Sequence, residues 1–244
     1  MVAGLVAKGG YYMGNNLYPA RDSNPKGFFE DPEINGINEN ILAPYISRNP
    51  WISGIYAFRR QPLSYGQKWL VRLSVNIKEK ANSEIEDRIK NAVAQQPYCF
   101  KDPRFSYTLP VWRPFLHDVV YVCVFRDPSS TALSIMKEIN AMPYLYNLRS
   151  WFTYRHALEV WQHAYIHIMR QHSIEGTWSF VHYNQIIDGS GFDKIESVLD
   201  VDVDRSFPDP KLNRTVPKQS PPTNLKVLYQ ELCDLAGYRE SENE

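Results

Sequence analysis

The sequence predicts an α/β fold with a parallel central sheet flanked by helices. Apolar runs typical of buried strands alternate along the chain with segments whose apolar residues recur every three to four positions. The clearest strand, residues 119–125 (VVYVCVF), is apolar on both faces, as expected inside a parallel sheet. The clearest helix covers residues 151–172. Strands that alternate with helices favour parallel pairing, with helices packed on both faces of the sheet.

The N-terminal elements are predicted from caps and turn residues. Residues 2–6 resemble the end of a helix that the following glycines terminate. Residues 14–30 are rich in turn formers and predict a loop. Asp31 then has the character of a helix N-cap, with Pro32 in the first helical position.

The next region predicts an irregular insertion at residues 44–82, with one possible strand at 69–75 (WLVRLSV). Ser83 and Glu86 have the spacing of a capping box, which predicts a helix through the mid-nineties. A short strand is expected at residues 98–100.

The C-terminal half continues the alternation. Pro128 suits the first turn of a helix directly after the clearest strand. A strand is predicted at 178–181 and a short helix at 194–199. Thr223 is expected to cap a last helix, which Gly237 ends.

Length and charge limit the classes of function. With 244 residues the chain suits a single domain over residues 1–244, with a solvated tail at 239–244. The 27 basic and 27 acidic side chains balance, so no overall field favours nucleic acid or an anionic membrane as a partner. The three cysteines match no zinc or disulfide spacing, which predicts buried free thiols.

The sequence also predicts a soluble, cytoplasmic protein. No apolar run approaches the roughly 18 residues that a membrane span needs. The N-terminus lacks the basic-then-apolar order of a secretion signal.

A phosphate-binding segment is predicted where the strand 119–125 ends. Arg126 follows it directly, at the strand end where open parallel sheets bind ligands. The helix that starts next offers unpaired backbone N–H groups, residues 129–131 (SST) add hydroxyls, and Ser134 lies nearly two turns further on. The alternative is that Arg126 pairs with Asp127 beside a capped helix.

An apolar strand ending in Arg-Asp-Pro, with a serine eight residues after the arginine, resembles the 3′-phosphate-binding segment of sulfotransferases. These enzymes use 3′-phosphoadenosine-5′-phosphosulfate (PAPS). The resemblance implies that Arg126 and Ser134 bind the 3′-phosphate of the nucleotide. The nearest likeness is to the bacterial, carbohydrate-type branch. Further stretches agree with the family in the same order along the chain: NPKGFFED at 24–31, KDPRF at 101–105, VHYNQII at 181–187 and LNRT at 212–215.

The resemblance implies a P-loop NTPase-like three-layer sandwich and a reaction without a metal. A sulfuryl group would pass from PAPS to a hydroxyl, of a carbohydrate by analogy with that branch. One feature departs from the family, whose first strand and glycine-rich loop bind the 5′-phosphosulfate before the first helix. Because Met1 directly precedes the first helix here, we expect this strand and loop to be missing.

The catalytic base implied by the resemblance is Glu30, since related enzymes use a carboxylate after the first helix. The alternative for Glu30 is a carboxylate stabilised by a helix dipole. Asp102 and His117 are weaker candidates. The cytosolic branch has a histidine before a Leu-Pro pair, whereas this chain has Thr108 there.

Basic residues are also implied to contact the nucleotide. Lys101 and Arg104 follow a short predicted strand and would neutralise charge on donor or acceptor; the alternative is that both are ordinary surface cations. Arg214 resembles a late basic residue that closes over the nucleotide in this family. Lys26 is a candidate on the acceptor side.

Two further patterns have simpler explanations. His163 and His167 lie four residues apart, a spacing that can bind zinc, but the sequence offers no evident third ligand, which favours a structural pair. Several aromatic residues near the N-terminus would stack on a sugar or pack against the sheet: Tyr11, Tyr12, Tyr18, Phe28 and Phe29.

Three functions follow from these observations. The first is a sulfotransferase, or a truncated relative of one. The second is a non-catalytic nucleotide-binding or interaction module that kept the fold, which the missing loop favours. A phosphoryl-transferring kinase is disfavoured, since the sequence has no Gly-Lys-Ser/Thr loop and no acidic strand end suited to magnesium.

Overall fold

The computed structural model describes residues 1–22, 24–46, 63–73, 81–212, 215 and 220–240. These residues form two compact units. Unit 1 contains Met1–Gly10, Asp118–Gln162 and Ser173–Glu244, and unit 2 contains Tyr11–His117 and His163–His172. The single-domain interpretation of the sequence stays a prediction.

The described residues contain nine α-helices and two strands. The strands are β1, Val120–Phe125, and β2, Thr177–His182. In chain order the helices are α1 Val2–Leu5, α2 Pro32–Leu42, α3 Ser83–Val93, α4 Phe105–Trp112, α5 Pro128–Ala141, α6 Tyr154–His167, α7 Tyr183–Ile187, α8 Phe192–Leu199 and α9 Thr223–Ala236. A π-helical turn, Ile168–His172, continues α6.

The sheet of unit 1 consists, within the described residues, of β1 and β2. The two strands pair in parallel, in a register that runs from Val120 opposite Thr177 to Phe125 opposite His182. Parallel pairing requires a crossover connection, which here contains α5 and α6. The prediction of an α/β protein with parallel strands is therefore confirmed at this level.

The helices of unit 1 start and end where local chemistry dictates. Pro128 is the first residue of α5, and the Asp127 side chain caps this helix by accepting the N–H of Ser130 at 2.6 Å. The sequence predicted Thr223 as the cap of α9, but Pro222 occupies that position and Thr223 is the first helical residue. Gly237 ends α9 in the left-handed conformation, with a φ of 66°.

Lys194 joins the sheet of unit 1 to the end of α9. Its ammonium donates to the carbonyl of Phe180 at 2.8 Å and to that of Ala236 at 3.1 Å. The last carbonyls of a helix have no partner within the helix and carry partial negative charge. A lysine on α8 therefore stabilises both the C-terminal end of α9 and a carbonyl of β2.

The core of unit 2 forms around α2, whose start is confirmed. Asp31 caps the helix by accepting the N–H of Glu33 at 2.7 Å, and Pro32 is its first residue. The apolar face of α2 then packs with residues of α3 and α4 in one cluster: Ile34, Ile37, Ile41, Ile85, Ile89, Val111 and Trp112.

Three local predictions in unit 2, a helix cap and two strands, differ from the structure where it is described. The cap of α3 is Asn82, whose side chain accepts the N–H of Ile85 at 2.9 Å, because Ser83 is already helical. A strand was predicted at residues 69–75. The described part of this segment forms no strand, since Lys68–Leu70 is a 3-10 helix, and residues 74–80 lie outside the described part. Tyr98 forms an isolated parallel bridge with Tyr12 rather than a strand.

Across the described ranges, the helices are too short or too polar for any of them to cross a membrane.

Candidate functional site

The candidate site of unit 1 lies where β1 and β2 end side by side. Because Phe125 is opposite His182, the next residues of the two strands, Arg126 and Tyr183, leave the sheet together. The Arg126 guanidinium lies over the Tyr183 ring, 4.7 Å from its centre. A cation over an aromatic face at this distance is attracted by the ring quadrupole. The register of the sheet thus builds an arginine–tyrosine pair at the edge where ligands bind in open α/β sheets.

Arg126 is held at both its backbone and its side chain. Its carbonyl accepts the indole N–H of Trp161 at 3.0 Å, and its terminal nitrogen Nη2 donates to the carbonyl of Thr215 at 2.8 Å. Burial lowers the pKa of Arg126, although an arginine stays charged at neutral pH. The result is a half-buried, oriented cation.

The start of α5 is occupied mainly by groups of the chain itself. The Asp127 carboxylate accepts the N–H of Ser130, and the Thr131 hydroxyl donates to the carbonyl of Asp127 at 3.0 Å. These hydroxyls and amides were predicted as donors to a ligand. Ser129 differs, because its hydroxyl is fully buried and has no hydrogen-bond partner among the described residues.

Ser134 is exposed and lies seven residues after Asp127 in α5. Seven residues are close to two turns of an α-helix, so Ser134 lies on the same helix face as Asp127. The structure therefore gives Ser134 the helix face expected from the sequence, and its contact with a phosphate stays a prediction.

His182, the last residue of β2, is buried and its ring is hydrogen-bonded. Its Nδ1 accepts the N–H of Asn184 at 3.1 Å, which places the proton of the neutral ring on Nε2. Nε2 is 3.0 Å from the Tyr229 hydroxyl, which in turn donates to Glu240 at 2.8 Å. Burial, with the charge of Arg126, lowers the pKa of His182 to about 4. At neutral pH Arg126 is therefore a cation beside an uncharged imidazole.

Glu30, the predicted base, lies in unit 2 and is tightly bound. Its carboxylate forms an ion pair with Lys101 and accepts the side-chain N–H of Asn35 at 2.9 Å, and its side chain is 11% exposed. The residue before it, Phe29, has a φ of 54°, which costs a bulky residue about 1–3 kcal/mol. The structure brings Glu30 and Lys101 together. The predicted roles of Glu30 as a base and of Lys101 as a nucleotide contact stay predictions.

Arg104 and Asp102 belong to a buried ionic network of unit 2. The Arg104 guanidinium donates to Asp102 at 2.9 Å and to Glu39 at 2.7 Å, and Glu39 also pairs with Lys68 at 2.7 Å. The Asp102 carboxylate further accepts from Asn38 at 2.9 Å, and burial raises its pKa. The surface location considered for Arg104 is wrong, because only 4% of its side chain is exposed. Its role as a cofactor-binding residue stays a prediction.

The remaining candidates are scattered. Arg214 lies outside the described residues. His117 is exposed and Lys26 is half-buried. His167 is buried in unit 2, where its ring packs against Tyr107 with centres 4.6 Å apart. Among the described residues, no group of three or more His, Cys, Asp or Glu side chains is arranged to hold a metal.

Sequence reasoning did not single out Tyr183 and His182 as site residues. Both were contained in the stretch 181–187, but their meaning depends on the strand register that sets them beside Arg126. An aromatic residue directly after a predicted strand was the available signal.

Comparisons of the chain with protein-family models, with curated proteins and with solved structures found no match.

Proposed function

We propose that this protein is a sulfotransferase, or a relative of one, in which unit 1 binds the 3′-phosphate of PAPS. The observation that carries the proposal is the position of Arg126. It follows β1 directly, precedes the N-terminus of α5 and is held over Tyr183. The same sequence position led to the resemblance with PAPS-dependent enzymes.

The physical chemistry of Arg126 suits a phosphate. A guanidinium presents its donors as a planar fork that matches two phosphate oxygens. Burial of part of the group strengthens its interaction with an anion, because the effective dielectric falls. The contact with Thr215 holds the side chain and the contact with Trp161 holds the backbone before a ligand arrives, which reduces the entropy lost on binding.

The proposal extends to the architecture. We place β1 and β2, with the helices around them, in a P-loop NTPase-like three-layer sandwich. The parallel pairing and the helical crossover between the two strands support this assignment.

Arg126→Ala is expected to weaken the binding of adenosine 3′,5′-bisphosphate at least tenfold, or about 1.4 kcal/mol. Titration calorimetry on the wild type and the variant measures the difference. Arg149→Ala is a matched control, because Arg149 also lies over a tyrosine ring in unit 1, 5.2 Å from the centre of Tyr146. The control should bind as the wild type does. Equal affinities for the wild type and Arg126→Ala would refute the phosphate site.

Transfer requires a base for the acceptor hydroxyl, which the resemblance assigns to Glu30. In this step the acceptor oxygen attacks sulfur, Glu30 takes the hydroxyl proton, and the sulfur–oxygen bond to the phosphate breaks. The products are a sulfate ester and adenosine 3′,5′-bisphosphate.

A non-catalytic nucleotide-binding module is the second candidate, because Glu30 is already paired with Lys101 and Asn35. The two functions differ in one measurement. With sulfur-labelled PAPS and an oligosaccharide bearing free hydroxyls, an enzyme transfers the label to the sugar. A module binds the nucleotide with the same dependence on Arg126 and transfers no label.

A further inference from the structure

The C-terminal residues 237–240, called here the C-terminal strap, pack onto the end of β2. The Tyr238 ring stacks on the His182 ring, with centres 3.8 Å apart and planes at 12°. The Tyr238 hydroxyl accepts a hydrogen bond from the Asn184 side chain at 2.8 Å. One tyrosine of the strap thus contacts the residues on both sides of Tyr183.

The strap is attached at a second point. The Tyr229 hydroxyl, on α9, lies 3.0 Å from His182 Nε2 and donates to Glu240 at 2.8 Å. The His182 ring also makes an edge-on contact with Phe125, whose ring centre is 5.1 Å away. These contacts fix the imidazole from several sides.

His182 in turn fixes the start of α7, and with it Tyr183. Its ring accepts the N–H of Asn184, while the backbone N–H of His182 donates to the Gln185 side chain at 2.9 Å. This reciprocal capping box sets the direction in which the chain leaves β2. Tyr183 is the first residue after the cap, and Arg126 lies on its ring.

We propose that Tyr238 is a positioning residue for Arg126, acting through His182 and Tyr183. Each step of this path is a direct contact within unit 1. The stack of Tyr238 holds the His182 ring, the ring caps α7, and the cap orients the aromatic surface that carries the guanidinium. The consequence for ligand affinity rests on the proposed phosphate site, whereas the effect on Arg126 itself does not.

The test uses three variants of the full chain. Tyr238→Ala removes the stack, Tyr238→Phe keeps the ring and removes only the hydroxyl, and Arg239→Ala changes a strap side chain that is 85% exposed. The first readout is the solvent exchange rate of the Arg126 Nε–H proton by nuclear magnetic resonance, assigned with Arg126→Lys. The second is the dissociation constant for adenosine 3′,5′-bisphosphate.

We expect Tyr238→Ala to accelerate exchange of the Arg126 proton at least threefold and to weaken nucleotide binding about three- to tenfold. Tyr238→Phe should restore both readouts to within twofold of the wild type, and Arg239→Ala should change neither. If Tyr238→Ala does not fold, Tyr238→Leu replaces it, since leucine fills apolar volume but cannot stack.

Wild-type exchange of the Arg126 proton in a folded Tyr238→Ala or Tyr238→Leu variant would overturn the positioning role. So would a Tyr238→Phe variant as impaired as Tyr238→Ala. If the wild-type protein does not bind the nucleotide, the phosphate site fails. The exchange measurement still decides the role of Tyr238 in that case.

Discussion

Replacing Arg104 by methionine is expected to lower the free energy of unfolding by about 3–5 kcal/mol. Arg104 is the shared cation of two buried carboxylates, Asp102 and Glu39, whose side chains are 0% and 1% exposed. Without the guanidinium, the Asp102 carboxylate stays buried without its cation, and Glu39 keeps only its pair with Lys68. Urea denaturation followed by circular dichroism measures the loss.

Two further variants separate this effect from general damage. Lys90→Met breaks a pair with Asp87 in which both side chains are more than half exposed, and should cost less than about 1 kcal/mol. Arg104→Met combined with Asp102→Asn should recover part of the lost stability, because it removes the carboxylate that lost its cation and leaves Glu39 paired with Lys68. A loss for Arg104→Met no larger than for Lys90→Met would show that the network contributes little.

Acid is expected to destabilise the protein through two buried histidines, each by about 2 kcal/mol between pH 7 and pH 4.5. Burial lowers the pKa of His172 and of His182 to about 4, against an ordinary value of 6.5. Between pH 6.5 and pH 4 the unfolded chain therefore binds protons that the folded protein does not. Stability rises with pH through this window and falls as the pH is lowered.

The histidine prediction is checked by the difference in unfolding free energy between pH 7 and pH 4.5. His182→Gln and His172→Gln should each shrink this difference by about 2 kcal/mol, whatever they do to stability at neutral pH. Asn140→Ala, at an exposed neutral position of α5, should leave the difference as in the wild type. An undiminished difference in both histidine variants would contradict the assignment.

The parts of the fold that the sequence predicted are those fixed by neighbouring residues. The run VVYVCVF, the Asp31–Pro32 start of α2 and the Pro128 start of α5 depend on side chains within a few positions, and the structure confirms them. The cap of α3 was missed by one residue, because Asn82 and Ser83 both have capping side chains.

The parts that could not be predicted depend on partners far along the chain. From its neighbours in sequence, Arg104 resembles an ordinary surface cation. Only the fold brings Glu39, which is 65 residues away, against it. Arg126 was identified from its place after a strand, but its position over Tyr183 requires the register of β1 and β2. Local patterns indicate which side chains have suitable chemistry, and the tertiary fold decides which of them are buried.

The ammonium of Lys194 has a consequence for how unit 1 opens. It binds carbonyls of a strand residue and of a helix residue that are 14 and 42 positions away from it. Fraying of α9 would remove the Ala236 carbonyl as an acceptor of the lysine. The ammonium would then depend on the Phe180 carbonyl of β2, so loosening of the helix end affects the strand as well. We therefore expect local opening of the end of α9 to be coupled to loosening of β2 through this one side chain.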